Sequence, residues 1–346
     1  MPIPYPYSID MVGENVAVTD VELLNSYNGI KAVNAPRHTI TRVEGQPLNV
    51  GIYLDATYDI GRIVDAHFNP WYCQTKSFMK HQLTHGRAFV MGRSDWEYVL
   101  NTFAFGYAIG YHFIETDTGS MNGNFLGIGS DLSINASIQV DGLQPEGLLI
   151  TNGEFTAFRN DDWLPGSIAQ SHHLIVGEGN TGPIKFTNSA FWGPSRGIAK
   201  IEGSGTVGYS QCEFVEWAEQ DGVDGEYAFR LNGTGSLSLL GNHFRQDKNQ
   251  VWAEAGTRAI IANNIYEGAL KNGGDGNILV DSNMSSDPKS HNWMTIGCTA
   301  LVGAFTMAIM AIGLKVRALS AELASLKSIR DHESLKRPLL SSVETY

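Results

Sequence analysis

From about residue 9 to 285 the apolar residues come in short runs that alternate with polar ones at the strand period, and most runs end in Gly, Asn or Asp. No 3.6-residue spacing persists through this region, and the 38 glycines of the chain would interrupt one, so helical repeats are excluded. The runs also repeat. Asn122-Gly-Asn-Phe125, Asn152-Gly-Glu-Phe155 and Asn188-Ser-Ala-Phe191 share the pattern Asn-x-x-Phe. Looser copies are Asp65-Ala-His-Phe68, Gln211-Cys-Glu-Phe214, Gly241-Asn-His-Phe244, Asn263-Asn-Ile-Tyr266 and Asp281-Ser-Asn-Met284. From Asn122 onward neighbouring copies lie 18 to 36 residues apart. Short β-type runs at such a period predict an all-β fold, a stacked solenoid whose corner loops differ in length.

The residue types fit one coil of such a stack. Alternate side chains of each strand point inward, and the Asn before the aromatic tolerates left-handed backbone angles at a corner, where its amide can bond its counterpart in the next coil. Phe125, Phe155, Phe191, Phe214 and Phe244 are expected in one interior column. The segments 69–87, 159–173 and 216–226 are polar and aromatic, and are expected to project as walls of a groove.

The pattern changes at residue 294. Residues 294–314 carry no charge and are long enough, at about 1.5 Å per residue, to cross a hydrocarbon core as one transmembrane α-helix. Lys315, Arg317, Lys327, Arg330, Lys336 and Arg337 follow it, so the tail 315–346 is expected in the cytosol and the region before the span outside or in a lumen. The expected organisation is therefore an ectodomain 1–285, a linker 286–293, the span and the tail. Ala300, Ala304 and Ala308 form a small-residue stripe suited to weak homodimerisation of the span, and Val316, Leu319, Leu323 and Leu326 continue a helical spacing beyond it. The residues before the tail hold 18 basic and 32 acidic side chains, a balance that argues against nucleic acid as a partner. Asn135, Asn232 and Asn283 open glycosylation sequons usable on the outer side. Cys73 and Cys212, the cysteines outside the span, allow at most one disulfide. The first ten residues contain no signal-peptide pattern, and an incomplete N-terminus is the expectation.

The coils Gly-x-Leu-Leu-Ile-Thr-Asn-Gly-Glu-Phe and Ile-Lys-Phe-Thr-Asn-Ser-Ala-Phe-Trp-Gly, with Asp59-Ile-Gly-Arg62 leading into Asp65-Ala-His-Phe-Asn-Pro-Trp71, resemble the right-handed parallel β-helix proteins of the pectate-lyase-like superfamily. The resemblance covers roughly residues 9–285. It implies the fold and no single activity, because the superfamily includes polysaccharide lyases, glycoside hydrolases, epimerases, phage tailspikes and non-enzymatic surface proteins. The polygalacturonase series of Asn-Thr-Asp, paired Asp, Gly-His-Gly and Arg-Ile-Lys is missing, with Asp161-Asp162 alone in a loop, and so is the Arg-x-Pro-x-x-Arg signature of pectate lyases. No catalytic residue carries over.

Residues 59–117 hold the densest chemistry. Arg93, Asp95 and Glu97 alternate, which on a strand places them on one face, and two residues along a strand bring such carboxyls to roughly 6 to 7 Å, a separation glycosidases use. Glu115 and Asp117 close the following coil. The catalytic set is therefore Asp95, Glu97, Glu115 and Asp117, with Arg93, His112, Tyr111, Trp71 and Trp192 as sugar-binding partners, and Tyr107, Tyr72 and Trp163 as further aromatic platforms. Each also has a structural reading: a solvated ion-paired strand face for Arg93, Asp95 and Glu97, a polar residue beside the core for His112 and His67, and an apolar cap for Trp192. His172-His173 lacks further ligands at metal spacing, and neither a metal nor a cofactor is expected. Two functions follow: a membrane-anchored protein that binds polysaccharide or glycan and, as an enzyme, cleaves it as a glycoside hydrolase or polysaccharide lyase; or a non-catalytic surface, adhesion or structural β-helix. The acidic ectodomain disfavours polyanionic pectin and leaves neutral or basic glycans open.

Overall fold

The computed structural model describes residues 2–158, 162–164, 172–219 and 225–286. They form a parallel β-helix. One sheet has eleven strands, each paired in parallel with its counterpart from the coil before, from Tyr7–Met11 at one end to Asn272–Gly273 at the other. The remaining strands form a second, bent sheet. In the first coils its strands are single seven-residue pieces, Ala17–Leu23, Thr39–Gly45 and Arg62–Phe68. Arg62–Phe68 pairs with both Glu97–Leu100 and Phe103–Phe105, and from there on each coil has two separate strands.

The bend is a single left-handed residue per coil: Asp20, Arg42, Asp65, Asn101, Gly127, Asn152, Asn188, Gln211, Gly241, Asn263 and Ser282, all at φ between 48° and 67°. Asn, Asp and Gly adopt this geometry with little strain, which is why they punctuate the sequence here. Three residues on, the side chain turns inward. Phe155, Phe191, Phe214, Phe244 and Tyr266 stand in register along one interior column, with neighbouring ring centroids 4.8–5.6 Å apart. Phe125 is not among them. The corner of its coil is Gly127 rather than Asn122, so Phe125 pairs with Val99 and Ile150 in the adjacent column, and Ser130 occupies the place opposite Phe155. Asp281-Ser-Asn-Met284 is likewise displaced by one, because Ser282 makes the turn.

The corner amides bond as expected where two Asn follow one another: Asn188 Nδ2 donates to Asn152 Oδ1 at 2.8 Å. A longer ladder runs one residue later and inside the stack. Asn242 donates to Asn264 Oδ1 through its backbone N–H (2.8 Å) and side chain (2.9 Å), and Asn264 repeats this onto Asn283 (2.9 and 3.1 Å). Each amide also donates to an interior carbonyl, of Tyr209, Leu239 and Ile261 in turn.

The segment 69–87 is not only loop, since Lys76–His85 is a helix that lays Met79, Gln82 and Leu83 against the stack. Gln46 Nε2 bonds Gln82 Oε1 (3.2 Å) and the Cys73 carbonyl (2.8 Å), which ties the helix to its coil. Cys73 and Cys212 are both free thiols. No helix among the described residues is long and apolar enough to cross a membrane. The proposed span 294–314, the linker from residue 287 and the tail lie outside the described residues.

Candidate functional site

The triplet Arg93, Asp95, Glu97 does not form one face. Trp96 takes a left-handed backbone (φ 64°), so the strand begins only at Glu97 and the alternation is reset there. Asp95 stays outside, where its Oδ1 meets Arg93 Nη2 at 2.5 Å, and Trp96 projects into solvent at 59 % exposure. Glu97 turns into the stack and is fully buried. Its Oε1 meets His38 Nε2 at 3.1 Å, its Oε2 accepts from Ser94 Oγ at 2.6 Å, and His38 Nδ1 contacts the Ala35 carbonyl at 3.0 Å. Burial alone would lower the His38 pKa, but the Glu97 charge and hydrogen bond outweigh it and hold it above the ordinary histidine value. This is an interior ion pair without access to substrate.

The other members of the expected set are also dispersed. Glu115 Oε2 accepts the Leu143 backbone N–H at 2.9 Å and so braces a loop. Asp117 sits exposed in the tight turn closed by Thr116 and Gly119. Tyr111 is interior, stacked on Phe89 at 4.7 Å with its hydroxyl bonded to Thr102, and Tyr107 is equally buried, donating to the Pro47 carbonyl. Neither can stack on a sugar. Tyr72 is tied to Glu22 through its hydroxyl. Trp71 is half exposed and lies on His67, ring centroids 4.8 Å apart. Trp192 faces outward at 40 % exposure and donates Nε1 to Glu154 (3.2 Å), while its neighbour Phe191 fills the core. Trp163 packs edge-on against Phe105.

The carboxylate that organises the 93–120 region is Asp55, which sequence reasoning missed. Its Oδ1 accepts from the Arg93 and Ala56 backbone N–H groups and from the Thr116 and Thr118 hydroxyls at 2.8–3.0 Å. Burial raises its pKa, but these four donors more than offset that and leave it below the usual range. Among the described residues, the carboxyl that moves toward neutrality is Asp131, pushed up to about 6 mainly by burial, with Glu154 adding repulsion.

Of the sequon asparagines, Asn283 has its amide inside the Asn ladder, and Asn135 donates to Gln139 Oε1 at 2.8 Å with its sequon serine, Ser137, 2 % exposed. The Asn232 sequon is the open one, its Thr234 being exposed.

An outer ladder runs along the eleven-stranded sheet, starting at His112, which is itself only 9 % exposed. His112, Gln139, Ile175, Lys200, Arg230 and Trp252 are register partners in six successive coils, a track of about 24 Å at the usual strand spacing. His112 Nε2 contacts Asp141 Oδ2 at 2.7 Å, and Gln139 donates to the same oxygen. Beyond Gln139 the surface sinks into a cleft of about 280 Å³ with Ile175 in its lining and Arg196, Lys200, Arg230, Glu226 and Tyr227 around it. Trp252 closes this end, 5.3 Å from the Tyr227 ring and 5.6 Å under the Arg230 guanidinium. Only His112 of this ladder was singled out from the sequence. Yet Ile-Gln-Val-Asp-Gly (138–142), Ala-Lys-Ile-Glu-Gly (199–203) and Phe-Arg-Leu-Asn-Gly (229–233) are a second repeat, apolar-x-apolar-acid/amide-Gly, whose second residue faces out between two buried apolar ones.

No known protein family and no curated protein sequence matches the chain. Among solved structures it is similar to PfbA, a surface adhesin of Streptococcus pneumoniae. One structure of PfbA aligns at 9 % identity and a TM-score of 0.44, over 80 % of this chain and 69 % of the adhesin. Another, described as the surface protein and adhesin PfbA, aligns at 10 % identity and a TM-score of 0.29, over 75 % of this chain and 66 % of that one. At that level of likeness the adhesin says nothing about what this chain binds.

Proposed function

We propose that this chain is a non-catalytic, surface-displayed β-helix that binds glycan along the outward ladder from His112 to Trp252. The observation that carries the reading is that ladder: beyond the buried His112, the amide Gln139, the apolar Ile175, the cations Lys200 and Arg230 and the aromatic Trp252 stand in register on one face, with Trp252 next to a cleft lined by Tyr227. Sugars present apolar C–H faces to aromatic rings and hydroxyl rims to amides and charged groups, and a repeating surface suits a repeating ligand. Catalysis is disfavoured because Glu97 is sequestered with His38, Glu115 and Asp117 serve loops, and Asp95 is neutralised by Arg93. Display outside the cytosol on the span 294–314, with the right-handed winding of the pectate-lyase-like superfamily, belongs to the same proposal; the uncharged stretch and the basic residues after it support the anchor.

A glycan panel probed with the full chain tests this. Binding without release of reducing ends is expected, with Trp252→Ala and Lys200→Gln weakening it and Asp95→Asn leaving it intact. Turnover that disappears in Asp95→Asn would overturn the non-catalytic reading. A second reading rests on Asp131, whose raised pKa suits a general acid beside Glu154. Turnover abolished by Asp131→Asn and retained by Asp95→Asn would favour it.

A further inference from the structure

The cleft near the Trp252 end of the ladder holds a small excess of positive charge. Glu226 Oε1 contacts Arg196 Nη2 at 3.0 Å and its Oε2 contacts Arg230 Nη1 at 3.1 Å, so a single carboxylate braces two guanidiniums around the cavity. Burial would raise the Glu226 pKa, but the two arginines hold it below the ordinary range, and the brace stays charged. A guanidinium carries five N–H donors in a rigid fork, and Glu226 takes one from each arginine. Lys200, next to Arg230 in the ladder, is paired with Glu202 at 2.6 Å. Three cations against two carboxylates make this a local positive centre on an acidic protein. The lining includes the Tyr227 ring, packed on Trp252 just outside the cleft, and the apolar side chain of Ile175.

We infer that this cleft takes one sugar ring bearing a single oxyanionic substituent, a carboxylate or a sulfate ester, which the Arg196 and Arg230 forks bind while the ring packs on the aromatic side. The inference rests on the glycan-binding reading above and specifies its ligand. Planar forks match a carboxylate or sulfate better than a hydroxyl, and the bonds are charge-assisted. A single charge is favoured over a polyanion because the chain as a whole carries more acidic than basic side chains and its net field opposes accumulation of negative charge.

The experiment measures binding of the full chain to lactose, sialyllactose and sulfated lactose, and to cellobiose and cellobiouronic acid, at low and high salt. The acidic member of a pair is expected to bind about tenfold or more tightly than the neutral one, as for hydrogen bonds to charged groups. That preference is expected to shrink in high salt and to vanish in Arg196→Gln and Arg230→Gln. The sialyl and sulfated arms separate carboxylate from sulfate. Both arginines are at least a third exposed on the outer face, so unchanged melting of the variants is the control, and Lys200→Gln tests the same field independently if either unfolds. Equal affinity for acidic and neutral sugars, or a preference that survives both arginine variants, overturns this inference and leaves glycan binding standing. Loss of all saccharide binding across a panel overturns the glycan reading and this inference with it.

Discussion

Gly61 shows how tightly one residue can be specified by its neighbours. A Cβ at that position would lie 2.2 Å from Glu97 Oε2 and 2.2 Å from His38 Cε1, inside the buried pair. Gly61→Ala must therefore displace one partner, and is expected to cost about 2 kcal/mol or more, read as a lowered urea midpoint with unchanged slope. An unchanged midpoint would mean the pair is not where it is described. Two buried histidines set the pH dependence in opposite senses. The His38 pKa is raised in the fold, so its contribution is complete below the ordinary histidine value near 6.5 and is lost as pH rises through the raised value. His173 is pushed down to about 3, chiefly by burial with His172 adding to it, so the unfolded chain takes up a proton that the fold refuses, and stability falls as pH drops from about 6.5 toward 3. Thermal melting should therefore fall away on both sides of a maximum near neutrality. His38→Gln should flatten the alkaline limb and leave the acid limb, and an unaltered alkaline limb would contradict the raised value.

At the scale of elements, the later coils share two interior columns, an aromatic one from Phe155 to Tyr266 and an amide one from Asn242 to Asn283. Phe191 touches Phe155, Phe186, Tyr209 and Phe214 at 5.2–5.6 Å between ring centroids, so Phe191→Ala opens a cavity between three coils and is expected to cost about 3–5 kcal/mol. Asn264→Ala strands the Asn242 donors and removes the Asn264 side-chain donor from Asn283 Oδ1, leaving only the backbone one, at a cost of about 1–3 kcal/mol. Asn263→Gly, one residue earlier at the left-handed corner, should be tolerated. Chemical denaturation of the three variants checks the order, and a costlier Asn263→Gly than Asn264→Ala would put the ladder at the corner instead. The Asn-x-x-Phe pattern was legible because the left-handed turn and the inward ring are both local demands. The position of Phe125 was not, since the turn in its coil passed to Gly127.

Across the whole molecule each coil meets only its neighbours, so stability should be highest in the middle of the stack and lower at its ends. Strand Ser236–Leu240 buries Leu237 and Leu239, whereas Val280 of Asn277–Asp281, which continues the column of Leu239 and Ile261, is 41 % exposed. Hydrogen exchange followed by mass spectrometry should show Asn277–Asp281 exchanging well before Ser236–Leu240. Equal protection would contradict the neighbour-only picture. The same architecture makes the His112 to Trp252 track a whole-molecule feature, because its neighbouring residues are separated in sequence by 22 to 36 positions and meet only through register.

The sequence alone determined the stack: strand-length apolar runs, Asn, Asp and Gly corners, and the inward aromatics three residues after most Asn or Asp corners follow from local backbone preference and hydrophobic alternation. Tertiary structure decided the site. Whether Glu97 serves a substrate or the core depended on the left-handed turn at Trp96, which alternation cannot reveal, and on His38, which lies 59 residues earlier in the chain. The cleft needed Arg196 and Arg230 from different coils and the Glu226 brace between them. Chemistry that arises from stacking belongs to the register, and register is set by the sum of pairings through the stack rather than by any single segment.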